Sequence, residues 1–141
     1  MDHTAELELE IEAPSEEGVF ADALAALAEL LAREEENEPR IESEPGVESR
    51  RRPAVKRRLS VEAEDRPALL AAWMEELVFL GETEGFEPAA VEALELAPGS
   101  AQATVTGRLG QPPPLVKAVT YHRLSFVPAD RGYRATVVLD V

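Results

Sequence analysis

The chain has 141 residues, 45% of them hydrophobic, which is enough for one buried core and too few for two comfortable ones. It carries 14 Lys and Arg against 28 Asp and Glu, a net charge of −14, and no cysteine. Disulfides, thiolate chemistry and zinc–sulfur sites are therefore excluded, and so acidic a chain is a poor general binder of phosphate backbones.

"TAELELEIEA" (Thr4–Ala13) alternates cleanly, with Ala5, Leu7, Leu9 and Ile11 facing one way and Glu6, Glu8, Glu10 and Glu12 the other. Period two predicts a strand with one wet face. Pro14-Ser15 breaks it, and Ser15 or Glu16 can cap an amphipathic helix in "VFADALAALAELLAREEE", where Phe20, Leu24, Leu27 and Leu31 share a stripe. Residues 34–49, polar with two prolines and a glycine, read as a loop or frayed connection. "PAVKRRLSVEAE" returns to strand, with Val55, Leu59 and Val61 on one face. Asp65 can cap a second helix, "RPALLAAWMEELVFL", whose first turn holds Pro67 where a missing N–H costs least. Leu70, Trp73, Leu77 and Leu80 form its stripe, and Trp73 reads as core rather than as a stacking platform. "GETEG" ends that helix.

"VEALELA" and "AQATVTGRL" are joined by Pro98-Gly99-Ser100 as a hairpin, and Pro112 to Pro114 form a stiff linker. "VKAVTYHRLSFVP" and "GYRATVVLDV" flank Ala129-Asp130-Arg131-Gly132 as a second hairpin. The order β-α-β-α and then four strands predicts a single α+β domain over residues 1–141. Its two layers would be two helices packed on one face of a mostly antiparallel sheet of about six strands. No apolar run approaches the ~20 residues that span a bilayer, and no signal-like segment opens the chain. A cytoplasmic protein without membrane contact is expected.

The charge is uneven. Residues 1–49 hold 16 acids and 2 bases, whereas 50–141 hold 12 of each. "RRRPAVKRR" (Arg50–Arg58) places six positive charges in nine residues. It reads either as a solvated strand flank balancing the acidic half or as a docking patch for RNA or an acidic partner.

Enzyme signatures are missing: no glycine-rich phosphate loop, no HExxH, no G-x-S-x-G. His3 and His122 lie near opposite ends of the sequence and read as structural. What remains is carboxylates at the two chain ends. Glu6 sits on the polar face of the first strand, and Asp140 precedes the final residue, Val141. Val137, Val138 and Leu139 are apolar on both faces, as in a central strand, and domain ends often lie close together. If these strands are neighbours, up to three carboxylates converge at one rim. Two like charges ~4 Å apart cost on the order of 4 kcal/mol at an effective dielectric of ~20. Such a cluster calls for a hard cation, calcium or magnesium, or for the nearby ammonium of Lys117. Solvated, unconnected acids are the plainer alternative.

Four of these stretches carry a family resemblance. "DHTAELELEIEA" resembles the opening "DHTAD" strand of the archease family. "LLAAWMEELVFLGETEGF" is similar to its second helix, and "VKAVTYHRLSF" and "RATVVLDV" look like its C-terminal hairpin. The resemblance runs over the whole chain in the family's order. It implies an accessory protein, not a catalyst, for the RtcB-type RNA ligase of tRNA splicing. Such a protein promotes formation of the ligase's covalent guanylate and reaches tRNA only through the ligase. It implies a divalent cation, calcium foremost with magnesium or manganese as alternatives, held by Glu6, Asp140 and Val141. Lys117 of the "KAxTY" motif is the other functional position. The family's motif ends in aspartate where this chain has Glu6, and the longer side chain suits a flexible calcium site better than octahedral magnesium.

Two rival readings remain. One is a metal-dependent hydrolase using the same acids, with His3 as its only obvious general base. The other is an RNA-binding or chaperone-like module acting through residues 50–58.

Overall fold

The computed structural model describes residues 5–37, 53–110 and 116–141. In chain order they form β1 (Glu6–Ala13), α1 (Glu16–Asn37), β2 (Ala54–Glu62), α2 (Arg66–Glu84), β3 (Phe86–Ala97), β4 (Ser100–Leu109), β5 (Ala118–Ala129) and β6 (Gly132–Asp140). His3, residues 38–49 of the expected connection, Arg50 to Arg52 and the prolines 112–114 lie outside the described residues.

The α+β class is as expected, but the strands do not make one sheet. They form two three-stranded antiparallel sheets, ordered β1-β6-β5 and β2-β4-β3. Both helices pack against strands of both sheets rather than on one face of one sheet. The reason lies in the edge strands. β3 contains Pro88, which has no N–H to donate, and its register shifts between Pro88 and Ala90 and again between Val91 and Ala93. β5 breaks register between Thr120 and Ser125 and contains Pro128. Edges interrupted in this way are poor templates for a further strand.

Helix ends follow from local chemistry. Ser15 Oγ accepts a hydrogen bond from the Gly18 N–H at 3.0 Å, capping α1. The run Glu34–Glu36 favours helix, and no breaker occurs before Pro39, so α1 continues to Asn37, one residue past the quoted helical stretch and overlapping the segment read as a loop or frayed connection. Asp65 Oδ1 caps α2 by accepting from the Ala68 N–H at 2.8 Å. α2 runs a turn beyond the expected end and stops at Gly85, whose φ of 69° is left-handed. A β-carbon there would collide with the Gly110 carbonyl. Glycine is required at that cap.

The predicted stripes meet in one buried cluster. Phe20, Leu24, Leu27, Leu70, Trp73, Leu77 and Leu80 all belong to it, with Leu31 half-buried at its margin. Trp73 packs edge-on to Phe20, with ring centroids 5.7 Å apart, and its indole N–H donates to the Phe20 carbonyl at 3.1 Å. Phe20 in turn touches Phe126, and Phe126 touches Tyr133. Aromatic contacts thus run from α2 through α1 to β5 and β6, which fixes the helices over the β1-β6-β5 sheet. Among the described residues no helix is long and apolar enough to cross a membrane.

Candidate functional site

β6 is the central strand of its sheet, with β1 on one side and β5 on the other. The antiparallel register makes Glu6 the partner of Asp140. Directly opposed residues project to the same face. Alternation identifies that face: Ala135, Val137 and Leu139 enter the buried cluster, while Glu6, Glu8, Glu10 and Glu12 are exposed. Glu6 and Asp140 therefore stand together on the outer face, at the rim of the sheet. One residue further, the Val141 N–H donates to the Ala5 carbonyl at 2.9 Å and the Ala5 N–H donates to Val141 O at 3.4 Å. On the β5 side, Ala118 is the partner of Asp140, and the Lys117 N–H donates to the Asp140 carbonyl at 2.7 Å. All four residues singled out in the sequence, Glu6, Lys117, Asp140 and Val141, thus meet at one rim. Lys117 is exposed, Asp140 is half-buried, and Val141 is half-buried against the core.

A fifth residue joins them. In β5 the segment Tyr121–Leu124 has no register partner, and within it Arg123 adopts a left-handed φ of 59°. From β5 its side chain crosses β6 to reach β1. There Nη2 lies 3.5 Å from Glu6 Oε1 and Nε lies 3.3 Å from Glu8 Oε1. Between them on the outer face of β6 sits Val138, partnered by Glu8 and Thr120 and fully buried although outside the core cluster. Sequence reasoning missed Arg123. The available signal was the lapse of alternation at "YHR", where three polar residues follow one another within a strand.

Among the described residues, no three His, Cys, Asp or Glu side chains are grouped as a metal site. The donors at the rim are the Glu6 and Asp140 carboxylates with the main-chain oxygens of Val141. All are oxygen, and the carboxylates of Glu6 and Asp140 occupy opposed positions. That donor set suits a hard divalent cation and not zinc or copper.

The Archease protein family model matches residues 1–141. The chain belongs to the archease family. Two relatives named "Protein archease" agree with it. The one from Pyrobaculum islandicum is 27% identical over 99% of this chain and 92% of its own, and the one from Pyrobaculum calidifontis is 28% identical over the same shares. Two solved structures share the fold. A solution structure of a Methanobacterium thermoautotrophicum protein has a TM-score of 0.59 at 23% identity, and covers 100% of this chain and 94% of that one. A Thermotoga maritima crystal structure, described as an archease and possible chaperone, has a TM-score of 0.60 at 18% identity with the same coverage.

In this archease the basic stretch is partly spent on internal pairing. Lys56 Nζ lies 2.9 Å from Glu92 Oε2, and Arg57 Nε lies 2.6 Å from Glu84 Oε1. Those contacts pair Lys56 and Arg57 with local acids, as a balancing strand flank would; Arg50 to Arg52 lie outside the described residues. His122 is exposed, its backbone N–H donating to Thr120 Oγ1 at 3.3 Å. Next to it, the Tyr121 phenol donates to Glu75 Oε1 at 2.9 Å, tying the β5 bulge to α2. That bond, with smaller contributions from burial and from the charge of Glu75, raises the phenol above its ordinary ionisation range. A raised folded-state value favours the protonated phenol, so its stabilising contribution is present below pH ~10 and lost as pH rises through the folded value. Absorbance titration of Glu75→Gln should therefore show one tyrosine ionising earlier than in the parent. An unchanged curve would mean that the contact does not hold in solution.

Proposed function

We propose that this archease is a cytoplasmic accessory protein that raises the guanylylation and turnover of an RtcB-type RNA ligase, with no turnover of its own. Family membership over the whole chain supports that reading. The observation that carries its site is the β1–β6 register, which sets Glu6 opposite Asp140 with Lys117 alongside. Glu6, Asp140 and Val141 would hold a divalent cation, calcium by preference, because oxygen donors on a strand end tolerate the longer Glu6 better in a flexible calcium shell than in a rigid magnesium one. When bound, such a cation supplies charge neutralisation for nucleotidyl transfer. Lys117, exposed and bonded through its backbone N–H to Asp140, would supply an ammonium for the phosphates of a guanine nucleotide held by the ligase. Main-chain bonds from β1 and from Lys117 hold the backbone of this rim, which supports the reading. tRNA is engaged through the ligase.

Incubating the purified protein with its ligase, GTP and divalent metal tests the proposal. The guanylylated fraction, read as the shift in intact ligase mass, should rise well above that of ligase alone. No rise across calcium, magnesium and manganese would refute the reading.

A further inference from the structure

We propose that Arg123 is an internal counter-ion that occupies the Glu6 carboxylate and must be displaced before a divalent cation can bind there. The inference rests on the reading of Glu6, Asp140 and Val141 as a cation site. It assigns a role to a residue outside that set.

Three features converge on Arg123. Its left-handed φ is unfavourable for a residue with a β-carbon, so the surrounding structure must hold it there. It occupies the unpaired segment of β5, where the strand leaves its ladder and can direct a side chain across the sheet. And it reaches past Val138 to Glu6 and Glu8 together, instead of taking one nearest partner.

The strength of the contact suits a replaceable ion. The Arg123 side chain is 53% exposed, Glu6 48% and Glu8 40%, and both distances exceed those of a tight bidentate pair. Exposed pairs of this kind contribute little and are screened by salt. The guanidinium therefore relieves the repulsion between Glu6 and its acidic neighbours in the cation-free protein, yet yields to a doubly charged ion. Glu8 gives the displaced arginine somewhere to remain, since releasing Glu6 leaves the Nε contact with Glu8 available. Arg123 would then lower the apparent affinity for every cation that uses Glu6.

Calorimetric titration of the full chain with calcium chloride at fixed ionic strength tests this, using the parent, Arg123→Gln, Arg123→Lys and Asp140→Asn. Arg123→Gln should bind about fivefold more tightly than the parent, the amount two half-exposed ion pairs can withhold. Arg123→Lys, which keeps the charge, should stay within about twofold of the parent. In the parent, the guanidinium Nη and Cζ resonances of Arg123 should move as calcium is added, because it is Nη2 that leaves Glu6; this readout needs no variant to fold. Equal or weaker binding by Arg123→Gln, with binding lost in Asp140→Asn, would overturn the arginine's role and leave the cation site standing. A stationary Arg123 resonance during saturation overturns it as well. No calcium binding by any of the four proteins defeats both the site and the inference.

Discussion

Asp140→Ala is expected to abolish the gain in guanylylated ligase while moving the thermal midpoint by no more than about 2 °C, as an outer-face substitution should. The two halves of that expectation have separate causes. Asp140 projects to the outer face, half-buried, opposite Glu6. The bond that closes the ladder beside it uses its main-chain carbonyl, which accepts from Lys117, and alanine keeps that carbonyl. Removing one of two adjacent carboxylates also relieves repulsion, so the fold has nothing to lose. On the proposed reading the cation would lose one of its three ligating residues, leaving only Glu6 and Val141 at the rim. Lys117→Ala should reproduce the loss for a different reason, since its N–H still bonds to Asp140 while its ammonium is gone. Circular-dichroism melts and the guanylylation assay, run on the same preparations, check both parts. Full stimulation by both variants would discard the rim as the working site. A drop of many degrees in either would show that the rim is structural.

Sequence pattern was most informative where one residue's environment is set by its own strand or helix. The glutamates of β1 declared a wet face, and the apolar run Val137–Leu139 declared a central strand. That β1 lies beside β6 is only a condition in the sequence; the structure meets it, and antiparallel pairing brings Glu6 to Asp140. Partition into two sheets was not legible, because it depends on what edge strands refuse to pair with. The relevant marks, Pro88 and the irregularities around it, look like an ordinary loop when read locally. The same limit hid Arg123. A bulge is a relation between two strands, and periodicity within one strand shows only that the alternation lapses. Glu34 to Glu36 read both as the end of the helical stretch and as the start of a polar connection, and helix prevails because glutamate extends a helix readily until a proline intervenes.

Trp73→Ala should cost about 3–5 kcal/mol from the emptied volume, and about 1 more for the lost indole hydrogen bond. Trp73 is fully buried and is the largest fully buried side chain of the core. Its ring stands edge-on to Phe20, and its N–H donates to the Phe20 carbonyl, so one side chain fastens α2 to the first turns of α1. Phe20 then loses the surface that holds it against Phe126 on β5. A cavity at this junction cannot close by moving one helix, since each helix also packs on both sheets. Against a total stability of ~5–15 kcal/mol for an ordinary domain, that loss leaves the protein marginal at best. Trp73→Phe separates the two contributions, because it keeps most of the packing and removes the donor; about 1–2 kcal/mol is expected there. The chain has a single tryptophan, so unfolding must be followed by circular dichroism in urea rather than by indole fluorescence. A loss under 1 kcal/mol for the alanine variant would mean that the two helices are held to the sheets independently, and the rim at the far edge of β6 would then owe nothing to this aromatic contact.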